Sequence, residues 1–163
     1  MKIYMADTYT KAFFHLVFAV KNRQALIDRS WKNDLEKYIT GIIQNNNHKL
    51  IAIGTMPVHV HILIGYNLNQ TIPDLVEEIK TSSNHWIKKN NLTKFNFNWQ
   101  KGYGAFTFSH LQLDGIAKYV RNQADHHRNR TFREEYIDML NNFKINYKEK
   151  YIFEFFDKMK GWE

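Results

Sequence analysis

The 163-residue chain contains no cysteine, which removes disulfides and thiolate metal sites and fits a reducing cytoplasm. No apolar run approaches the ~20 residues that a membrane-spanning helix needs. The opening Met1-Lys2-Ile3-Tyr4-Met5-Ala6-Asp7 lacks the apolar stretch of an export signal. A non-exported protein with no membrane partner is therefore expected. Acidic residues are missing from the whole interval between Ile79 and Leu113, which holds Lys80, Lys88, Lys89, Lys94 and Lys101.

What fills that interval is aromatic: Trp86, Phe95, Phe97, Trp99, Tyr103, Phe106 and Phe108 alternate with the lysines. Lysines neutralise phosphates and aromatic rings stack on bases, so the pattern suits a single-stranded nucleic acid. A formal net charge of +7 points the same way. The same rings would equally serve as the core of a loop and a last strand. The length fits one domain over residues 1–163. Its 141–163 segment, with Tyr147, Tyr151, Phe153, Phe155 and Phe156, is expected to dock rather than hang free.

Residues 11–20 alternate as a strand that is apolar on both faces, which predicts a central position in a sheet. A helix is expected over residues 30–47, capped by Ser30, with Trp31, Leu35, Tyr38, Ile39, Ile42 and Ile43 on its buried stripe. Residues 48–54 and 58–66 read as a hairpin turning through Thr55, Met56 and Pro57. Thr71, Pro73 and Asp74 open a second helix, running to about residue 89. A last strand is expected over 104–109. Ser109 then caps a helix to about residue 127 with Leu113, Ile116, Ala117, Val120 and Ala124 inward.

Within the second hairpin strand the period of two puts Val58, Val60, Ile62 and Ile64 on one face and His59 and His61 together on the other. Two imidazoles projecting side by side can hold one metal ion, although an H-x-H also occurs as an ordinary polar face. On the later helix, Tyr119 and Gln123 are four residues apart and share a face that His126 and His127 continue. His126-His127-Arg128 also suits the cationic end of a helix. A phenol with an unperturbed pKa of ~10 is a poor nucleophile. It becomes competent toward a phosphodiester when a divalent cation polarises the phosphoryl group. His59, His61 and the Gln123 amide oxygen would leave positions open on Mg²⁺ or Mn²⁺.

Taken in order, several stretches resemble the single-tyrosine HUH transposases of the TnpA type, from small bacterial insertion sequences, and their REP-associated relatives. They are Tyr9-Thr10 through Phe18-Ala19-Val20-Lys21-Asn22-Arg23, His59-Val60-His61, Trp99-Gln100-Lys101-Gly102-Tyr103-Gly104-Ala105-Phe106, Tyr119-Val120-Arg121-Asn122-Gln123, and His126-His127-Arg128 leading into Thr131-Phe132-Arg133-Glu134-Glu135-Tyr136. The resemblance implies an α+β fold, a ferredoxin-like or RRM-like antiparallel sheet with helices packed on it and the H-x-H on a central strand. It also implies His59, His61 and Gln123 as ligands of Mg²⁺ or Mn²⁺, and Tyr119 as the nucleophile. Tyr119 would keep the 5′ phosphate of a cut single strand and release a 3′ hydroxyl, so that strands are rejoined without ATP or another nucleotide cofactor. A homodimer, a DNA hairpin at the element's ends, and action in the bacterial cytoplasm at the nucleoid are implied as well. In many members the tyrosine helix docks on the other protomer's histidines. Lys21, Arg23 and Lys101 are the weaker candidates for DNA contacts. Many relatives carry an acidic residue just before the H-x-H where this chain has Val58, so weaker ordering around the ligands is expected. The alternative is a non-catalytic, domesticated relative that binds single strands without cutting them. A small RNA-processing nuclease is a third possibility.

Overall fold

The computed structural model describes residues 6–156. The ends of the expected 1–163 unit, including the last seven residues of its 141–163 segment, lie outside them. Four antiparallel strands form one sheet in the order β2-β3-β1-β4, with β1 Ala12–Ala19, β2 Lys49–Met56, β3 His59–Tyr66 and β4 Gly104–Thr107. Helix α1, Arg29–Asn45, follows β1, and α2, Ile72–Lys89, follows β3. The βαββαβ succession with that strand order is the ferredoxin-like arrangement, and the H-x-H strand is one of its two central strands. Among the described residues no helix is long and apolar enough to cross a membrane.

Local chemistry sets most of these boundaries. Helix α1 is capped by Asp28 rather than by Ser30: the Asp28 carboxylate accepts from the Ser30 backbone N–H at 2.8 Å and from the Ser30 hydroxyl at 2.6 Å. Those bonds hold the Asp28 carboxyl below its ordinary pKa. Helix α2 starts as expected, with Thr71 Oγ1 accepting from the Asp74 N–H and a proline in the first turn. The hairpin turns tightly at Pro57 and Val58, with β2 running on through Met56.

Strand alternation divides the sheet's side chains into two sets. Leu16, Phe18, Val60, Ile62 and Ile64 join α1 and α2 in the main core. On the other face, His15, Val17, His59, His61 and Leu63 lie beneath a second helical layer: α3 Leu113–Arg121, the short α4 Gln123–His126, and α5 Phe132–Asn142. Most of the aromatics set among the lysines belong to the core. Phe97, Trp99 and Phe106 are buried, while Phe95 stays exposed. Lys80 likewise serves the fold, donating from Nζ to the carbonyls of Gln100 and Gly102 at 2.8 and 2.6 Å.

The expected continuous helix over residues 109–127 is broken. A 3-10 turn at His110–Gln112 precedes α3, and the chain kinks at Asn122 before α4. The kink changes which side chains face inward. Ala124, expected in the core, is exposed, while Gln123 and His127, expected on the face toward the histidine pair, are buried.

Helix α3 crosses β2 at Gly54. A Cβ there would lie 2.0 Å from the Val120 carbonyl oxygen, so only glycine admits the helix at this distance. Gly54→Ala is expected to push α3 off the sheet and to cost about 1–3 kcal/mol of unfolding free energy, the usual penalty of overpacking. Urea denaturation reads this directly, and a midpoint equal to wild type would show that α3 is not seated there.

Candidate functional site

His59 and His61 project side by side from β3, as the strand period requires, and both rings are buried. His61 lies between two partners. Its Nδ1 shares a 2.7 Å hydrogen bond with Nε2 of His15 on the neighbouring strand, and its Nε2 donates to Glu135 Oε1 at 2.8 Å. His59 stacks on Phe132 with ring centroids 3.9 Å apart, and its Nε2 is 3.3 Å from Gln123 Oε1 and 3.6 Å from Glu135 Oε1. Tyr119 comes down from α3 over the same rings, 6.0 Å from His61 by centroids, and its hydroxyl donates to Glu135 Oε2.

Three of the expected residues, His59, His61 and Gln123, therefore meet, and Tyr119 stands beside them. All four come from one chain. The helix bearing Tyr119 rests on its own β2 and β3, whereas the resemblance implies docking on a partner's histidines in many members.

Sequence reasoning did not assign two further residues at the centre. His127 Nε2 lies 3.1 Å from Gln123 Oε1 and 3.3 Å from Glu135 Oε1. Glu135, on α5, is fully buried, with one carboxylate oxygen among the three imidazoles and the other on the phenol. The signal for it was present. Thr131 and Glu134 form a capping box that starts α5, Thr131 Oγ1 accepting from the Glu134 N–H and Glu134 Oε2 accepting from the Thr131 N–H. That start puts Phe132, Glu135, Tyr136 and Leu140 on one buried side, and a carboxylate on an otherwise apolar helix face marks a site.

His59, His61, His127 and Glu135 offer four ligand atoms, all within 4.8 Å of one another, and so could hold a metal ion. The hydrogen bonds around them fit that role. His127 Nδ1 donates to the Arg130 carbonyl at 3.0 Å, so an uncharged ring presents only a lone pair at Nε2, aimed at two oxygens. A cation between them relieves that opposition. An imidazole fixed through its other nitrogen, as His127 is by Arg130 and His61 by His15, is the usual setting of a metal-bound histidine.

Burial opposes charge on the rings of His15 and His59 and, with His61 adding to the effect, holds both well below the ordinary histidine pKa. Uncharged imidazole is the form that binds metals. For Glu135 burial acts upward, but the charge of His61 and the hydrogen bond from it outweigh that and keep the carboxylate ionised. Tyr119 is raised well above the ordinary phenol value by burial and then by the Glu135 charge beside it.

The weaker DNA-contact candidates are placed apart from this cluster. Arg23 lies over the ring of Phe156, 5.4 Å from its centroid. Lys21 and Lys101 line one surface groove together with Lys150 and Tyr151.

A ferredoxin-like sheet presenting paired histidines to a helix with one tyrosine defines the single-tyrosine HUH class. Within that class, the sequence profile of the family described as "Transposase IS200 like" matches residues 8–123, and the chain belongs to that family. ISDra2 transposase TnpA of Deinococcus radiodurans is 29% identical over 118 residues, covering 69% of this chain and 84% of that protein. A crystal structure from Deinococcus radiodurans, assigned as a transposase, aligns with a TM-score of 0.56 at 26% identity, over 76% of this chain and 98% of the other. A REP-associated tyrosine transposase bound to a REP hairpin shares the fold, with a TM-score of 0.56 at 15% identity, over 100% of this chain and 98% of the other.

The depressed histidines predict how stability varies with pH in metal-free protein. Below about pH 6.5 the unfolded chain takes up protons at His15 and His59 that the folded chain refuses, so stability falls with pH. Each ring contributes a slope approaching about 1.4 kcal/mol per pH unit. Glu135 adds a further loss below about pH 4.5, where the unfolded carboxyl takes up a proton that the folded one refuses. Chemical denaturation at pH 7.5 and 5.5 measures the first effect, and equal stabilities would mean that both rings are protonated in the fold.

Proposed function

We propose that the protein cuts and rejoins single-stranded DNA at the ends of an insertion sequence through a 5′-phosphotyrosine on Tyr119. The observation that carries this reading is the position of the Tyr119 phenol, held by Glu135 directly beside the His59–His61 pair within one chain.

Tyr119 Oη attacks the scissile phosphorus and forms the new P–O bond, while the bond to the 3′ oxygen breaks. The departing 3′ oxygen takes a proton from solvent. The hydrogen bond to Glu135 Oε2 aims the phenol oxygen, and the phenol's proton passes to solvent as the new P–O bond forms. His59 and His61, with the Gln123 oxygen, would hold a divalent cation, Mg²⁺ or Mn²⁺, which would supply Lewis-acid polarisation of the phosphate and offset the Glu135 charge beside the phenol. Burial of Tyr119 among His15, His61 and His126 fixes the phenol's direction and limits the loss of the aryl phosphate to water. Attack by a 3′ hydroxyl on the phosphotyrosine restores a phosphodiester and frees the tyrosine. Because each step exchanges one phosphate ester for another, no nucleotide cofactor is consumed.

The groove lined by Lys21, Lys101 and Lys150 supports a path for the DNA backbone. Of its two acidic members, Glu149 is neutralised by Arg133 at 2.7 Å and Glu154 is not paired among the described residues, which leaves three lysines against one carboxylate. A hairpin at the element's ends as the recognised feature, a homodimer pairing two such sites, and action in the bacterial cytoplasm at the nucleoid belong to the same reading.

The test is to incubate the chain with Mn²⁺ or Mg²⁺ and single-stranded DNA from the flanks of its own gene, then resolve the products under denaturing conditions. Wild type is expected to form a covalent protein–DNA adduct and Tyr119→Phe none, a loss of at least ~10³-fold for removal of a nucleophile. Binding without any adduct would favour the domesticated binding relative. RNA cleavage that persists in Tyr119→Phe would favour a ribonuclease.

A further inference from the structure

The family profile ends at Gln123, and the two residues at the centre of the cluster, His127 and Glu135, both lie beyond it. They are placed with care all the same. Helix α5 is started by its capping box and fastened to the core through Phe132, Tyr136 and Leu140. Phe153 packs on Phe132 and Tyr136, with centroids 5.8 and 4.8 Å away. The Gln100 side chain clamps the backbone of Glu154 on both sides, donating to its carbonyl at 2.8 Å and accepting from its N–H at 2.7 Å. A buried carboxylate delivered by so much packing needs compensating charge or strong hydrogen bonds.

Both oxygens of that carboxylate have a separate task. Oε1 faces the Nε2 atoms of His61, His127 and His59 at 2.8, 3.3 and 3.6 Å. Oε2 receives the Tyr119 hydroxyl. One rigid, planar group therefore joins the place where a cation would sit to the atom that would attack.

We propose that His127 and Glu135 complete a three-histidine, one-carboxylate metal site, and that Glu135 bridges the bound cation and Tyr119, so that occupying the site and aiming the nucleophile are a single event. This rests on the phosphotyrosine reading above and adds to its His59, His61 and Gln123 ligands two more, His127 and Glu135, and the class of metal. Three imidazoles beside one carboxylate match a first-row transition ion better than Mg²⁺, which favours oxygen donors and retained water. Mn²⁺ is therefore bound ahead of Mg²⁺. Glu135 acts toward Tyr119 as a positioning residue.

The experiment is Mn²⁺ titration of chelator-stripped protein, followed by the electron paramagnetic resonance signal of free Mn²⁺, with Mg²⁺ as competitor. Wild type is compared with Glu135→Gln, His127→Asn and the exposed His85→Ala as a control, each checked for folding by circular dichroism. Wild type is expected to take up one Mn²⁺ per chain, at least ~10-fold more tightly than Mg²⁺. Glu135→Gln and His127→Asn should each weaken Mn²⁺ by ~10- to 100-fold or more, with the control unchanged. When Mn²⁺ is raised to saturate Glu135→Gln, its rate constant for adduct formation should stay at least ~10-fold low with KM for DNA unaltered, the signature of a misaimed nucleophile. If Glu135→Gln does not fold, His127→Asn decides the ligand set on its own. Wild-type Mn²⁺ affinity in the folded variants, or equal affinity of wild type for Mg²⁺ and Mn²⁺, would overturn the proposal while leaving adduct formation through Tyr119 intact. Failure of wild type to bind Mn²⁺ at all would overturn it as well. Absence of the adduct in wild type that does bind Mn²⁺ would instead strike the phosphotyrosine reading.

Discussion

The arrangement turns on one buried negative charge. Glu135 has no exposed surface, and a carboxylate in that position is tolerated because three imidazoles and a phenol surround it. Those four partners come from three parts of the chain: His59 and His61 from β3, His127 from just after α4, and Tyr119 from α3. Removing the carboxylate would leave the Tyr119 hydroxyl and His61 Nε2 each without its hydrogen bond to Glu135, so the second helical layer and the histidine pair are energetically one unit. The aromatic packing of α5 and the segment after it serves to hold that charge in place.

The sheet underneath supplies the precision. Alternation on a central strand sends His59 and His61 to one face while Val60, Ile62 and Ile64 secure the strand in the main core. A missing side chain at Gly54 lets α3 approach closely enough for Tyr119 to reach the histidines' surroundings. His15, one strand away, fixes the ring of His61 from behind. Val58, where relatives of the resembled family often place an acid, is buried in the main core, and the carboxylate of this site arrives from α5 instead.

Much of this was legible from residues alone, for reasons that are physical. A period of two on an isoleucine- and valine-rich strand leaves little freedom in where two histidines point, and a spacing of four leaves little in how Tyr119 and Gln123 are related. The central place of β1 followed from its two apolar faces, and the antiparallel ferredoxin-like sheet from the family pattern. What was hidden depends on tertiary context. Nothing local announces the break at Asn122, and beyond it Ala124, expected in the core, is exposed. Asp28 and Ser30 are both good caps, and only the backbone shows which of them accepts. The lysine and aromatic alternation read as a nucleic-acid surface, but Lys80 is spent on two carbonyls and Phe97, Trp99 and Phe106 on the core. Glu135 was visible as one more acid in a charged helix. Its importance comes from which side of that helix is covered.

The most direct test of the central claim is anomalous diffraction at the manganese edge from crystals grown with Mn²⁺. One strong peak per chain is expected at coordination distance from Nε2 of His59, His61 and His127 and from a Glu135 oxygen, with the Tyr119 hydroxyl from the same chain on the other carboxylate oxygen. A peak remote from the histidine pair, or none while Glu135 stays lodged among the three imidazoles, would contradict it.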